Sequence, residues 1–388
     1  MDEFPGMPAM SSLCTAASPS AGGLRVVEID AQSDHRWEAF VAGHPEGSVF
    51  HHPAWLQVLA HGRDVNTTCL ACEDSCGQLH GILPLLETHG FWFNLGPRTL
   101  RRRLSSLPRT PFSGPLVNDP RFNTILVKAA MERLRRTPGV TLELKVPTNA
   151  LDDMRHDLEC QPWKDNFILQ LPNDPAQLRF GSSVTRHRIK WAVNKATKLG
   201  VQVRRAETET DLRAWYELYL LTMRWHGALP RPYRFFVDMW QILRPRGLMR
   251  LLLAEHCQGG ERQILAGYIL LTYARTVHCY VNGRRAEALS LHPNDILQWE
   301  AIHDACKEGF RLYNFLEVQA GQVGLAEYKT KWGAQPVRSY RYYYPAIHNA
   351  STTPVESQGR LRARATAAWR HMPLKTTELL SNWVHGYL

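Results

Sequence analysis

The chain has 388 residues, 44% hydrophobic and 21% charged, which excludes a disordered or fibrous protein and leaves room for two domains of ordinary size. Its 46 basic residues against 36 acidic ones give a net charge of +10, which favours anionic partners such as RNA, nucleotide-linked substrates or anionic lipid. The longest apolar run, "ILAGYILLTYA", is too short to span a bilayer, and the polar N-terminus lacks a signal-peptide core, so a cytoplasmic protein is expected.

Residues 1–23 are rich in Ala, Ser, Pro and Gly and read as a disordered tail. "LRVVEID" is a strand candidate, and "SDHRWEAFVAGHP" and "VFHHPAWLQVLAHG" are short helices, the second with Pro53 in its first turn. A hairpin follows, "NTTCLACED" turning at Ser75–Gly77 into "QLHGILPLLE". Its Cys69, Cys72 and Cys76, with His80, have the wrong layout for zinc, which pairs a short Cys-x-x-Cys with ligands from elsewhere in the chain. No metal is expected, and the eight cysteines read as reduced thiols. A loop-rich basic segment, "NLGPRTLRRRLSSLPRTPFSGPLVND", leads to a helix from Arg121 and to the strands "VTLELKV" and "NFILQLP".

The next stretch, Val184–Arg205, holds seven Lys or Arg and no acid. Ile189, Val193, Ala196 and Leu199 recur at helical steps, so a basic amphipathic helix is expected, ended by Gly200. That helix is either a solvated basic face or a phosphate-binding one. Beyond it the order of the first half repeats: a strand, helices over 209–247, three successive strands over 248–284, a helix from Pro293 and the strand "RLYNFLEV". The fold class is therefore α+β, with two copies of one unit and the basic helix near their junction. One continuous sheet through the chain would contradict that layout. Residues 346–388 read as a basic helical appendage, split by Pro373. Arg360, Arg362, Arg364 and Arg370 supply its charge, and Trp369, Met372, Leu374, Leu379, Leu380, Trp383 and Val384 its apolar area. It is expected to pack on the body, on the flank of the first domain, or else to meet an anionic bilayer.

"RHRIKWAVNKATKLGVQV", "GLAEYKTKWGAQPV" and "FHHPAWLQVL" together resemble the motifs of the FemAB-like and BioF-like branch of the GNAT acyltransferase superfamily, over most of residues 24–345. The resemblance implies tandem GNAT-like domains, 24–180 and 181–345. It also implies transfer of an acyl or aminoacyl group to an amine of a nucleotide- or lipid-linked cell-envelope precursor. The protein would hold no bound cofactor; the donor would be acyl-CoA or aminoacyl-tRNA. Implied partners are an anionic or lipid-linked acceptor, tRNA and a peripheral membrane contact. Two positions depart from the branch's Asp-Phe-Gly strand, where "YNFLEV" has Asn314 and Leu316, and "RRAEALSLHPND" has no Gly-rich phosphate loop. The alternative is a non-catalytic protein binding RNA or a membrane surface on a degenerate GNAT scaffold.

Acyl transfer in such a fold needs no Ser–His–Asp set, since a strand N–H can hold the oxyanion. Lys329 matches the motif lysine and is expected in the cleft within reach of Tyr280 or Glu317, its loss costing about a hundredfold in turnover, with Lys331 on an extended segment beyond it. Glu317 is a candidate base and Tyr280 a proton relay. Strand alternation puts Tyr280 and Asn282 on one face. Arg224 is a candidate anion clamp, with Tyr216 on the same helix. His52 and Trp55 are an acceptor wall or, alternatively, a helix cap and a core tryptophan.

Overall fold

The computed structural model describes residues 23–61, 65–88, 102–137, 139–258, 261–345 and 369–385. The tail of residues 1–22, part of the basic loop and residues 346–368 lie outside them.

The first unit runs β1 (Arg25–Glu28), α1 (His35–Gly43), α2 (Pro53–Ala60), β2 (Thr67–Glu73), β3 (Leu79–Thr88), β4 (Arg103–Ser105), β5 (Leu116–Val117), α3 (Arg121–Arg135), β6 (Thr141–Val146) and β7 (Glu159–Gln170). The second runs α4 (Ser183–Lys198), β8 (Val201–Arg205), α5 (Glu209–His226), α6 (Tyr233–Ile242), β9 (Met249–Gln258), β10 (Glu261–Tyr273) and β11 (Thr276–Arg284). It continues with α7 (Pro293–Lys307), β12 (Leu312–Val318), α8 (Val323–Lys331) and β13 (Gln335–Tyr344), and a last helix, α9, spans Leu374–His385. Helix ends follow local chemistry. Ser182 caps α4 through the Thr185 N–H, and Thr208 and Asp211 form a capping box on α5, which Gly227 ends at φ 64°.

Each unit leads from antiparallel strands to one parallel pair, β4–β6 in the first and β11–β12 in the second, with α3 or α7 in the crossover. The duplicated α+β order is therefore present. The expectation of two separate sheets is corrected: one 13-stranded sheet runs through the chain in the order β1-β2-β3-β4-β6-β13-β7-β12-β11-β10-β9-β8, with β5 on β3. The cause is strand exchange. β13, the last strand of the second unit, pairs with β6 and β7 of the first, and β7 pairs with β12 of the second.

One face of the sheet carries a single core to which both units contribute, with Trp37, Trp55, Trp215, Phe235 and Phe236 from α1, α2, α5 and α6. The other face is divided. There α3 covers the first unit, and α4 and α7 cover the second. The basic helix begins where Gly181 packs close to the Lys331 carbonyl and runs along α7, both within the second unit. α9 does not lie on the first unit; it packs on α5, with Glu378 paired to Arg213 at 2.9 Å.

In β2, Cys69 enters the shared core and Cys72 the opposite one, as residues an odd step apart on a strand must. Among the described residues no three His, Cys, Asp or Glu side chains could hold a metal.

α5 lies directly on β11 at Gly283, where an added Cβ would sit 2.7 Å from the Tyr219 backbone nitrogen. Gly283→Ala is expected to cost about 1–3 kcal/mol by forcing the helix off the sheet. Chemical denaturation checks this, and an unchanged midpoint would contradict the close approach.

Candidate active site

The β11–β12 pair separates early. Its parallel register ends at His278↔Asn314, after which β11 continues along β10 and β12 along β7, with which it is already paired from Leu312. Both strands are irregular at the separation. In β11, Ile269 and Leu270 of β10 face Val281 and Cys279, so Tyr280 is an extra, bulged residue. In β12, Leu316 has φ 61° and its N–H donates to the Asn314 side-chain oxygen at 2.7 Å. Asn314 thus supplies the acceptor that an Asp would, and Leu316 takes the left-handed conformation that a glycine would take without strain.

Lys329 holds this turn. It is buried, and its ammonium donates to the carbonyls of Phe315, Leu316 and Glu317 at 2.7, 3.0 and 3.1 Å. An ammonium has three N–H donors, so none remains for an oxyanion. The expected direct role is therefore corrected: Lys329 is near Glu317, but it is spent on backbone. Burial lowers its pKa to about 8. The extended segment is also corrected. Lys329 and Lys331 lie on α8, and Lys331 points away to Asp295 at 2.6 Å.

On the shared-core face, a cavity of about 420 Å³ opens at the junction of the units. Arg103, Arg109, Lys145 and Lys164 reach it from the first unit, and Arg231 and Arg341 from the second. Against these six basic residues stand Glu143 and Glu317. Arg231 ties the units together. Its guanidinium donates to the Tyr280 hydroxyl and, at 2.8 Å, to the Arg109 carbonyl. Its own backbone is fixed by Tyr219, whose hydroxyl accepts from the Arg231 N–H, and by Tyr216, whose hydroxyl donates to the Arg231 carbonyl, both at 2.9 Å. Tyr216 is thus a buried positioning group and does not face the cavity.

Tyr280 lines the cavity, but its hydroxyl is engaged, accepting from Arg231 and donating to the Arg109 carbonyl at 3.2 Å. Burial raises its pKa. It is a protonated phenol held in place, which corrects the proton relay. Glu317 lines the same cavity; Lys164 lies 3.4 Å from its Oε2, while Oε1 is buried with no hydrogen-bond partner among the described residues. It is the available proton acceptor. Glu143 is held well down as a carboxylate by Lys145, Arg341 and Arg103 in spite of its burial.

A second, larger cavity of about 800 Å³ lies towards the other face, between the end of α5, the start of α7 and α8. Tyr268, Asn282, Arg284, Asn294 and Tyr328 line it. The bulge at Tyr280 reverses the alternation, so Asn282 belongs here and not beside Tyr280, correcting the shared face. The separated strands lie between the two cavities.

The remaining candidates are elsewhere. Arg224 turns to the appendage and donates to the Met372 carbonyl at 3.3 Å. His52 caps α2 through the Ala54 N–H, and Trp55 is a core residue packed edge-on against Tyr280, its indole donating to Thr110. Neither is an acceptor wall. The cavity's cations from the first unit were missed, although "LELKV" alternates in a way that puts Glu143 and Lys145 on one face.

A parallel pair that parts between two cavities, on tandem copies of one α+β unit, defines a tandem acyltransferase fold of the GNAT type. Residues 183–330, which make up most of the second unit, match the acetyltransferase (GNAT) domain family. No curated protein sequence matches the chain. Among solved structures it is similar to FemX, with 16% identity over 82% of this chain and 96% of that one, at a TM-score of 0.64. It is also similar to the C-terminal domain of a putative lysylphosphatidylglycerol synthetase from Agrobacterium fabrum (11% identity, 88% and 95% covered, TM-score 0.53). L-PGS from Bacillus licheniformis matches comparably, at 12% identity over 87% and 97% of the chains, with a TM-score of 0.53.

Lys329→Met leaves three carbonyls without their donor and should cost roughly 3 kcal/mol of stability. A hundredfold loss of turnover with an unchanged Tm would restore the direct catalytic role. Lys145 gives a second test. Burial lowers its amine to about 7, and Glu143 opposes the shift. In the unfolded chain the amine titrates near 10.5, so between these values the unfolded state holds the extra proton and stability rises with pH. The stability difference between wild type and Lys145→Met should therefore move in favour of wild type from about pH 7 to about pH 9. A gap that stays flat over that range would contradict a neutral buried amine.

Proposed function

We propose that the chain transfers an aminoacyl group to the amine of an anionic acceptor of the cell envelope. The acceptor sits in the cationic junction cavity, the donor in the larger cavity, and the acyl carbon between β11 and β12. The separation of those strands between the two cavities is the observation that carries this reading. Four arginines and two lysines against two carboxylates favour an acceptor that joins its amine to phosphate or carboxylate groups. The FemX and lysylphosphatidylglycerol synthetase neighbours support the envelope as the setting.

The acceptor amine arrives protonated, and the free Oε1 of Glu317 takes its proton. The neutral nitrogen attacks the donor's ester carbonyl and a C–N bond forms. The carbonyl oxygen becomes an oxyanion beside the bulge of β11, where the extra residue leaves backbone polar groups off the ladder. The C–O bond to the donor then breaks, and the departing oxygen takes the second proton of the attacking nitrogen.

The start of α7 favours an aminoacyl ester over acyl-CoA. A helix N-terminus binds a pyrophosphate through free N–H groups, but here Pro293 removes one of them. Asp295 also puts a carboxylate in the first turn, already paired with Lys331. Alongside, Trp191 of α4 is 53% exposed and packs on His292, with Lys195 over its ring. Arg188, Lys190 and Lys198 are exposed on the same helix, a combination of cations and an aromatic that suits a nucleic-acid donor.

The test follows a labelled amino acid from charged tRNA into amide linkage with an envelope precursor that carries an amine and a phosphate, with acetyl-CoA as the competing donor. Glu317→Gln should lower turnover by about 10²–10⁴ at unchanged Tm. Equal transfer from acetyl-CoA would contradict the donor, and full activity of Glu317→Gln would contradict the base.

A further inference from the structure

The last helix is docked by a face that, among its described side chains, is polar except for Leu374 at its start, which packs against the shared core. Towards the body it presents Thr377 and Ser381, both fully buried. The Ser381 hydroxyl donates to the Pro230 carbonyl, and Glu378 pairs with Arg213. Outward it presents Leu379, 68% exposed, and Leu380, 37% exposed. A helix held by burial alone turns its leucines to the core. α9 is therefore attached by Leu374 and by polar contacts, with Leu379 and Leu380 left for something outside the chain.

The flank it shares with α5 continues the pattern. Trp225, at the end of α5, is 62% exposed. Next to it a cavity of about 380 Å³ is lined by Arg224, Arg284, Arg370 and His371, with Glu287 as its acid. Arg370 donates to the Trp225 carbonyl at 3.0 Å, and its guanidinium lies over the indole. Among the described residues no carboxylate lies within ion-pair distance of Arg224, Arg284 or Arg370, and Glu287 pairs with Arg285 instead.

We propose that this flank is a docking surface for an anionic bilayer. Leu379, Leu380 and Trp225 enter the interface, and the arginine-lined cavity takes a lipid phosphate. The charge argues for this occupant: a protein partner accounts for exposed leucines alone, whereas anionic lipid matches leucines, an interfacial tryptophan and unneutralised arginines together. No helix among the described residues is long and apolar enough to cross a membrane, so the contact is one of lying on the surface. The proposal is independent of the acyl-transfer reading.

The test is cosedimentation of the full chain with vesicles of phosphatidylglycerol and phosphatidylcholine, against vesicles of phosphatidylcholine alone. Wild type should bind the anionic vesicles and not the neutral ones. Leu379→Gln with Leu380→Gln should weaken binding about tenfold or more at unchanged Tm, because the side chains removed already face water. Arg370→Glu should weaken it as well, with a loss that shrinks as salt rises. No binding of wild type to anionic vesicles would overturn the proposal. So would binding that survives the double substitution, which would mark the flank as a polyanion or RNA surface.

Discussion

The site rests on one buried ammonium. Lys329 gathers the carbonyls of three successive residues of β12 and thereby holds the strand in a turn that takes it away from β11. Without that grip, Leu316 would have to pay for its left-handed backbone with a single hydrogen bond from its N–H to Asn314. The turn opens the sheet and delivers Glu317 to the junction cavity. On its other edge β12 pairs with β7 both before and after the turn, which draws the two units into one sheet.

The strand exchange has a functional consequence. Because β13 lies between β6 and β7, Arg341 stands beside Glu143 and Lys145, and residues from opposite ends of the chain line one cavity. Arg231 closes the same junction through the Arg109 carbonyl and Tyr280. The junction cavity thus belongs to neither unit alone. Its buried charges make it sensitive to proton uptake, since Lys145 sits where an amine is neutral near physiological pH.

Periodicity showed the duplicated α+β order and the basic helix, because helices and strands with one buried face carry that signal locally, and the motif residues came from the resemblance. It did not show the shared sheet, which depends on hydrogen bonds between strands more than 150 residues apart, as in Arg341 beside Lys145. Alternation failed at Tyr280 and Asn282 for a similar reason: a bulge inserts a residue without any mark in "TVHCYVNGR". Lys329 was found by its motif and given the wrong task, since spacing cannot reveal that three carbonyls use up its donors. Asn314 and Leu316 looked like losses, yet the turn they form is intact.

The central claim is that the acyl carbon lies between β11 and β12, reached by the donor from one face and the acceptor from the other. A crystal structure with a hydrolysis-resistant 3′-aminoacylamino-adenosine tests it most directly. The account predicts the nucleoside in the cavity lined by Tyr268, Asn282 and Tyr328, with the acyl carbonyl between Tyr280 and Leu316. Density for the aminoacyl group in the junction cavity beside Lys145, or on the outer surface with the strands untouched, would contradict it.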